Sequence, residues 1–205
     1  MLSDKGFDLW ADGYDESVGV SDDEGTYPFA GYKNILGEIY RDALSRGAKT
    51  VLDIGFGTGL LSARLYENGC EIYGQDFSEE MLRIAQEKMP LAKLYRADFA
   101  KRIAGELLEN KYDAIIATYS LHHLTDERKI ELIKLLTGLL TESGRIYIGD
   151  VAFETREEMD KLASESAGEW DTDEIYFVFD EMKKAFPRMK FKPFSHCAGL
   201  LTLDK

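Results

Sequence analysis

The sequence predicts an α/β fold: a doubly wound, mostly parallel sheet of seven strands with helices on both faces. Three observations carry that expectation. Apolar runs at 51–54, 112–118 and 145–151, rich in Val, Ile and Ala, read as strands covered on both faces. Stretches with helical spacing lie between them, and such alternation implies right-handed βαβ crossovers. A glycine-rich turn, Gly55-Phe56-Gly57-Thr58-Gly59, joins the first strand to the first of those helices.

Taken in order, Phe7, Trp10 and Tyr14 fall at i, i+3 and i+7 and would share one face of a short helix. Pro28 to Ser45 reads as a helix, with Ile35, Leu36, Ile39, Tyr40 and Ala43 as its apolar stripe and Gly47 as its stop. After the first strand and the turn, Leu60–Asn68 forms a helix ended by Gly69. Glu71–Gln75 is the second strand, with Asp76 at its carboxyl end. Ser78 caps the next helix, Glu79 and Glu80 complement its dipole, and Met81, Leu82, Ala85 and Met89 face inward before Pro90 ends it.

Ala92–Tyr95 is the third strand, leading into Asp98-Phe99. A helix around Ile103–Leu108 precedes the fourth strand, Tyr112–Thr118. The loop Tyr119–Leu124 follows, then a helix from Thr125 or Asp126 with Ile130, Ile133, Leu136 and Leu140 facing inward. Gly144 precedes the fifth strand, Arg145–Val151. From there the character changes: an acidic amphipathic stretch runs from Glu154 to Trp170, and a helix Phe179–Phe186 is closed by Pro187. Lys190–Ser195 and Ala198–Leu203 read as two final strands joined by a short turn.

Composition bounds the rest. At 205 residues the chain is long enough for one large core, and residues 1–205 read as a single domain. The net charge is −13, and no cluster of Lys and Arg could track a phosphate backbone, which argues against duplex nucleic acid as a partner. Cys70 and Cys197 stand far apart and outside any Cys-x-x-Cys spacing, so two buried free thiols are expected. No apolar leader opens the chain and no run reaches membrane-spanning length; a cytoplasmic protein without a membrane partner is expected.

In an open α/β sheet, ligands bind beyond the carboxyl ends of the strands, where the strand order reverses. Gly55 to Gly59, Asp76, Asp98 and the loop 119–123 all lie at such ends. The glycines let the backbone turn sharply and approach a ligand, and the helix from Leu60 offers free N–H groups to an anion. Leu60 occupies the position where a dinucleotide fingerprint needs glycine, which disfavours a nucleotide-dependent oxidoreductase, and the Gly-Lys-Ser/Thr of a P-loop is absent. Asp76 follows Asp53 by 23 residues, and a carboxylate there can accept both hydroxyls of a ribose. A turn aspartate or a helix cap is the alternative.

The run Asp53-x-Gly55-x-Gly57-x-Gly59, with Asp76, Asp98 and Leu121-His122-His123-Leu124 downstream, resembles the class I S-adenosylmethionine (SAM)-dependent methyltransferases. The resemblance implies a Rossmann-like methyltransferase fold closed by a C-terminal antiparallel hairpin. It implies SAM as cofactor and S-adenosylhomocysteine as product. The cofactor turn would comprise Gly55, Phe56, Gly57 and Gly59, with Asp53 orienting that turn or the methionine ammonium. Asp76 would take the ribose, with Phe77 beside it; Asp98 and Phe99 would take the adenine, Asp98 being equally readable as a helix cap. Tyr119 would line the methionine part, and Tyr14 would approach the cofactor from an N-terminal lid, residues 1–30. Residues 152–187 would form an acceptor-side insertion.

The adjacent His122 and His123 do not share a helix or strand face. No Cys/His/Asp cluster at ligand spacing accompanies them, so no metal is expected. Packing suits His123, while His122 stands between packing and a general base. The loop after strand four lacks the Asn/Asp-Pro-Pro-Tyr of enzymes that methylate base amines, and no Pro-Cys nucleophile is present. The acceptor expected is therefore a small molecule, methylated by in-line displacement. Phe7, Trp10, Tyr14, Tyr27, Trp170 and Tyr176 are candidates to line its pocket. The alternative is a SAM-binding regulatory or interaction protein without turnover, its acidic 154–174 face meeting a basic partner.

Overall fold

The structure is a computed structural model that describes residues 26–166, 168 and 170–205. Phe7, Trp10, Tyr14 and most of the expected lid lie outside the described residues. The strands are β1 (Thr50–Ile54), β2 (Glu71–Asp76), β3 (Lys93–Arg96), β4 (Tyr112–Thr118), β5 (Leu140–Phe153), β6 (Phe177–Val178), β7 (Lys190–Pro193) and β8 (Ala198–Asp204). Seven of them run β3-β2-β1-β4-β5-β8-β7 across the sheet. The first five pair in parallel, and β8 pairs antiparallel with both β5 and β7, which is the expected terminal hairpin. The strand order reverses between β1 and β4, so the glycine turn after one and the loop after the other flank the crevice at the switch point.

Among the described residues, the α-helices are α1 (Tyr32–Ser45), α2 (Leu60–Glu67), α3 (Glu79–Lys88), α4 (Asp126–Gly138), α5 (Arg156–Glu165) and α6 (Phe179–Ala185). Alternation along the strands divides the core in two. Val51, Ala114, Ile116, Tyr147 and Val151 pack with α1 and α2 on one face. Leu52, Ile54, Ile115, Ala117, Ile146 and Ile148 pack with α4 and α6 on the other. Ile35, Ile39, Val51, Leu52 and Ile54 are all fully excluded from water, and each such side chain contributes about 1.5–3 kcal/mol by burial.

Several elements differ from the sequence expectation. The helix expected from Pro28 begins at Tyr32, because Gly31 adopts a left-handed conformation (φ 85°) and turns the preceding residues out of the helix. The segment near Ile103–Leu108 is a 3₁₀ turn, Gly105–Glu109. On α4 the inward positions are Lys129, Leu132, Ile133 and Leu136; Ile130 is half-buried, and Leu140 already belongs to β5. β5 starts earlier than Arg145, because the register against β4 jumps from Tyr112↔Leu140 to Ala114↔Arg145 and the intervening residues loop out. The acidic stretch is helical only over α5, which a capping box at Thr155 and Glu158 starts and which buries no residue fully. β6, too short for a periodic signal, pairs with the end of β5.

Among the described residues, no helix is long and apolar enough to cross a membrane. Cys70 and Cys197 are both buried and free, as expected.

Candidate active site

The backbone leaves β1 at Ile54 and makes a tight bend in which Gly55, Gly57 and Gly59 all have positive φ. Gly55 donates its N–H to the Gln75 carbonyl at 2.9 Å, which ties the bend to β2. A Cβ at Gly55 would lie 2.7 Å from Ser120 Cβ and 3.2 Å from Phe99 Cε1, so the closeness of three chain segments demands glycine there. Gly59 plays a different part. Its missing Cβ admits Met89 Cε and Ala85, so it serves the packing of α2 on α3 rather than the cavity wall.

A cavity of about 440 Å³ opens at this bend, within the range of small-molecule sites. Its lining draws Asp53, Gly55, Phe56 and Gly57 from the bend, and Asp76 and Phe77 from the end of β2. Phe99, Tyr119, His122 and His123 also face it, as does Glu174 from the segment before β6. Of the sequence-expected residues, these converge as the strand-end argument requires. Asp98 does not line the cavity. Its carboxylate accepts the Ala100 N–H at 2.9 Å and pairs with Lys101 at 2.9 Å, and those bonds hold its pKa below the ordinary value. That is the turn-capping alternative. Tyr27, Trp170 and Tyr176 form an aromatic cluster, with Tyr27 stacked on Trp170 at 5.4 Å, but it lies outside the lining; Phe29 and Tyr32 face the cavity instead.

Two acids at the bend carry most of its electrostatics. Asp76 is buried, and its Oδ2 accepts the Gly57 N–H while its Oδ1 accepts that of Ser78, each at 2.9 Å. It therefore braces the glycine turn against the start of α3. Asp53 is 2% exposed, and its Oδ2 accepts the Ser62 hydroxyl at 2.5 Å. Its Oδ1 is buried without a hydrogen-bond partner. Burial pushes the Asp53 pKa up to about 7, against the Ser62 hydrogen bond, and the nearby Asp76 charge adds to the rise. A buried acceptor left unmatched beside an open cavity calls for a ligand donor.

The opposite wall is built on a histidine. His122 Nδ1 lies 2.6 Å from Asp150 Oδ1, and its Nε2 lies 3.3 Å from Glu174 Oε1. Burial depresses the His122 pKa, but Asp150 and Glu174 outweigh it and the net displacement is upward. Asp150 is fully buried in β5; its Oδ1 also accepts the Val151 N–H, and its Oδ2 has no partner. His123, expected to pack inside, is instead exposed at the cavity, its ring 4.3 Å from that of His122.

The segment bearing Glu174 is held in place by Lys129. Its buried ammonium reaches Asp126 at 3.0 Å and donates to the Ile175 carbonyl, while Ile175 N–H donates to the His122 carbonyl at 2.8 Å. Sequence reasoning missed Asp150, Glu174 and Lys129. Asp150 could have been suspected, as an acid inside an apolar strand, whereas nothing distinguishes Glu174 from its acidic neighbours.

A family described as "Methyltransferase domain" matches residues 51–144. An uncharacterized methyltransferase from Geobacillus sp. is 35% identical, over 78% of this chain and 72% of that protein. Another, from Alkaliphilus oremlandii, is 30% identical over 88% of this chain and 80% of that protein. Among solved structures, magnesium protoporphyrin IX methyltransferase from Synechocystis, crystallised with S-adenosylhomocysteine, superposes with a TM-score of 0.69. At 21% identity over 97% of this chain and 94% of that one, it shares the fold. Sequence relatives and architecture together show that the chain belongs to the methyltransferase family, of the class I SAM-dependent type.

Proposed function

We propose that this protein transfers the sulfonium methyl of SAM to a small-molecule acceptor. The observation that carries the reading is Asp53, which lines the cavity with a buried, unmatched Oδ1 beside a bend where Gly55 leaves no room for a side chain. An ammonium group supplies the donor that this oxygen lacks, and it compensates the burial that raises the Asp53 pKa. Asp76 fits the other end of the cofactor. After accepting two backbone N–H groups, its oxygens retain lone pairs for ribose hydroxyls. Phe77 and Phe99 would cover the adenine and Tyr119 the methionine chain.

SAM brings an already activated methyl group, so the protein supplies alignment, exclusion of water and management of the acceptor. His122 is the group proposed to meet that acceptor. With Nδ1–H donated to Asp150, its Nε2 lone pair faces Glu174 and the cavity. A lone pair so presented can take a proton or bind a metal ion. Residues 152–187 supply the acceptor side through Glu174. A cavity of about 440 Å³ to be shared between cofactor and acceptor favours a small molecule. The free buried thiols suit a reducing compartment, and we place the reaction in the cytoplasm.

Calorimetry with SAM is the first test, followed by incubation with methyl-labelled SAM and a cell extract. One SAM per chain and label in the low-molecular-weight fraction are expected. Folded protein that ignores SAM would remove the cofactor assignment, and label confined to protein or nucleic acid would remove the acceptor class.

A further inference from the structure

We propose that His122, His123 and Glu174 form a binding site for one divalent transition-metal ion at the acceptor side of the cavity. The reading of the cavity as a methyl-transfer site sets the ion's role, but its binding rests on geometry alone. One ligand atom from each of the three residues lies within 4.8 Å of the others, and all three side chains face the cavity. His122 Nε2 and Glu174 Oε1 stand 3.3 Å apart. Two ligands at metal bonds of about 2.1 Å in a tetrahedron are separated by about 3.4 Å, so this pair already has the required spacing. His123 is exposed beside this pair, its ring 4.3 Å from that of His122.

The surroundings are those of a metal ligand. Asp150 takes the Nδ1 proton of His122 at 2.6 Å, which fixes the tautomer and aims the Nε2 lone pair at the cavity. Carboxylates in that position are the usual partners of metal-binding imidazoles, raising their basicity and locking the ring. In that tautomer Nε2 has no proton for Glu174, so a lone pair and a carboxylate confront each other until a cation sits between them. A proton satisfies only this pair; a metal ion also engages His123. Lys129, the cation behind the site, hydrogen-bonds Asp126 and the Ile175 carbonyl rather than Glu174.

Two imidazoles and one carboxylate suit zinc, cobalt, manganese or iron in the divalent state. Magnesium and calcium prefer all-oxygen shells. Three protein ligands leave at least one position open, where an acceptor hydroxyl can coordinate. Coordination lowers the hydroxyl pKa and its proton passes to water. The oxygen–methyl bond forms as the methyl–sulfur bond breaks, and the ion keeps its oxidation state. The sequence reading expected no metal because Glu174, far along the chain from the histidines, joins them only through the fold.

The test uses the whole protein after chelation, titrated with zinc by calorimetry and with cobalt by visible absorption. One ion per chain is expected, with cobalt bands showing nitrogen and oxygen ligation. His123→Ala and Glu174→Gln should each weaken binding at least tenfold, and Asp150→Asn 10- to 100-fold. Thermal melts and SAM titrations of His123→Ala, whose altered side chain is exposed, report whether the fold is intact. Zinc bound at well under one equivalent, or variants that titrate like the parent, would overturn the site. SAM titrations of the same chelated protein separate the two claims. Zinc binding without SAM binding refutes the cofactor assignment alone, and the converse refutes the metal site alone.

Discussion

Replacing Asp53 with Asn should make the protein more stable at pH 8 and a poorer SAM binder. The carboxyl is held near pH 7 in the folded chain against an ordinary 3.8, chiefly by burial. At 1.36 kcal/mol per pH unit, that difference amounts to about 4 kcal/mol, as an upper bound, for ionising the buried acid. A raised acid pKa contributes stability that is complete below the unfolded value and lost as pH climbs from about 4 to about 7. The parent should therefore lose ground over that window, while Asp53→Asn does not. Asn keeps a partner for the Ser62 hydroxyl and removes the repulsion from Asp76.

The variant's advantage should be near zero at pH 4 and approach about 4 kcal/mol at pH 8, or about 10 °C in Tm for a chain of this size. Thermal unfolding at the two pH values without SAM measures it. Equal advantage at both values, or none at pH 8, would refute the claim that an unmatched charge is stored at the bend. Calorimetry completes the cycle. If Asp53 meets the SAM ammonium, the parent's affinity should fall up to tenfold per unit as pH drops below 7, whereas that of Asp53→Asn should be weaker and flat.

Two further outcomes follow from the same geometry. Asp76→Ala removes the acceptor of the Gly57 and Ser78 amides together with the proposed ribose contact, so SAM should bind at least tenfold more weakly, a loss of about 1.4 kcal/mol or more; affinity within threefold of the parent in calorimetry would contradict it. Lys129→Met strands the carbonyl of Ile175 and the carboxylate of Asp126, and should cost about 2 kcal/mol, lowering Tm by about 4–8 °C and loosening zinc binding through Glu174. An unchanged melt would show that Lys129 does not secure that segment.

What the sequence determined by itself was whatever local pattern and chain order can encode. Buried strands announce themselves as apolar runs, and a glycine turn after the first of them marks the ligand end of the sheet. That was enough to place Asp53, Gly55, Asp76 and the 119–123 loop around one cavity, because strand ends and the switch point are consequences of topology. The cap at Ser78 was readable for the same reason, as its bond spans three residues.

The tertiary structure decided what depends on distant segments meeting. Lys129 sat at an inward position of α4 that no hydrophobic pattern would assign to a lysine, and one of its acceptors, the Ile175 carbonyl, lies in the segment before β6. Asp150, His122 and Glu174 come from three elements and become one wall only when β5, the turn after β4 and that segment pack together. Such a juxtaposition has no period and no fixed spacing, so burial and the pairing of charges, rather than the order of residues, create it.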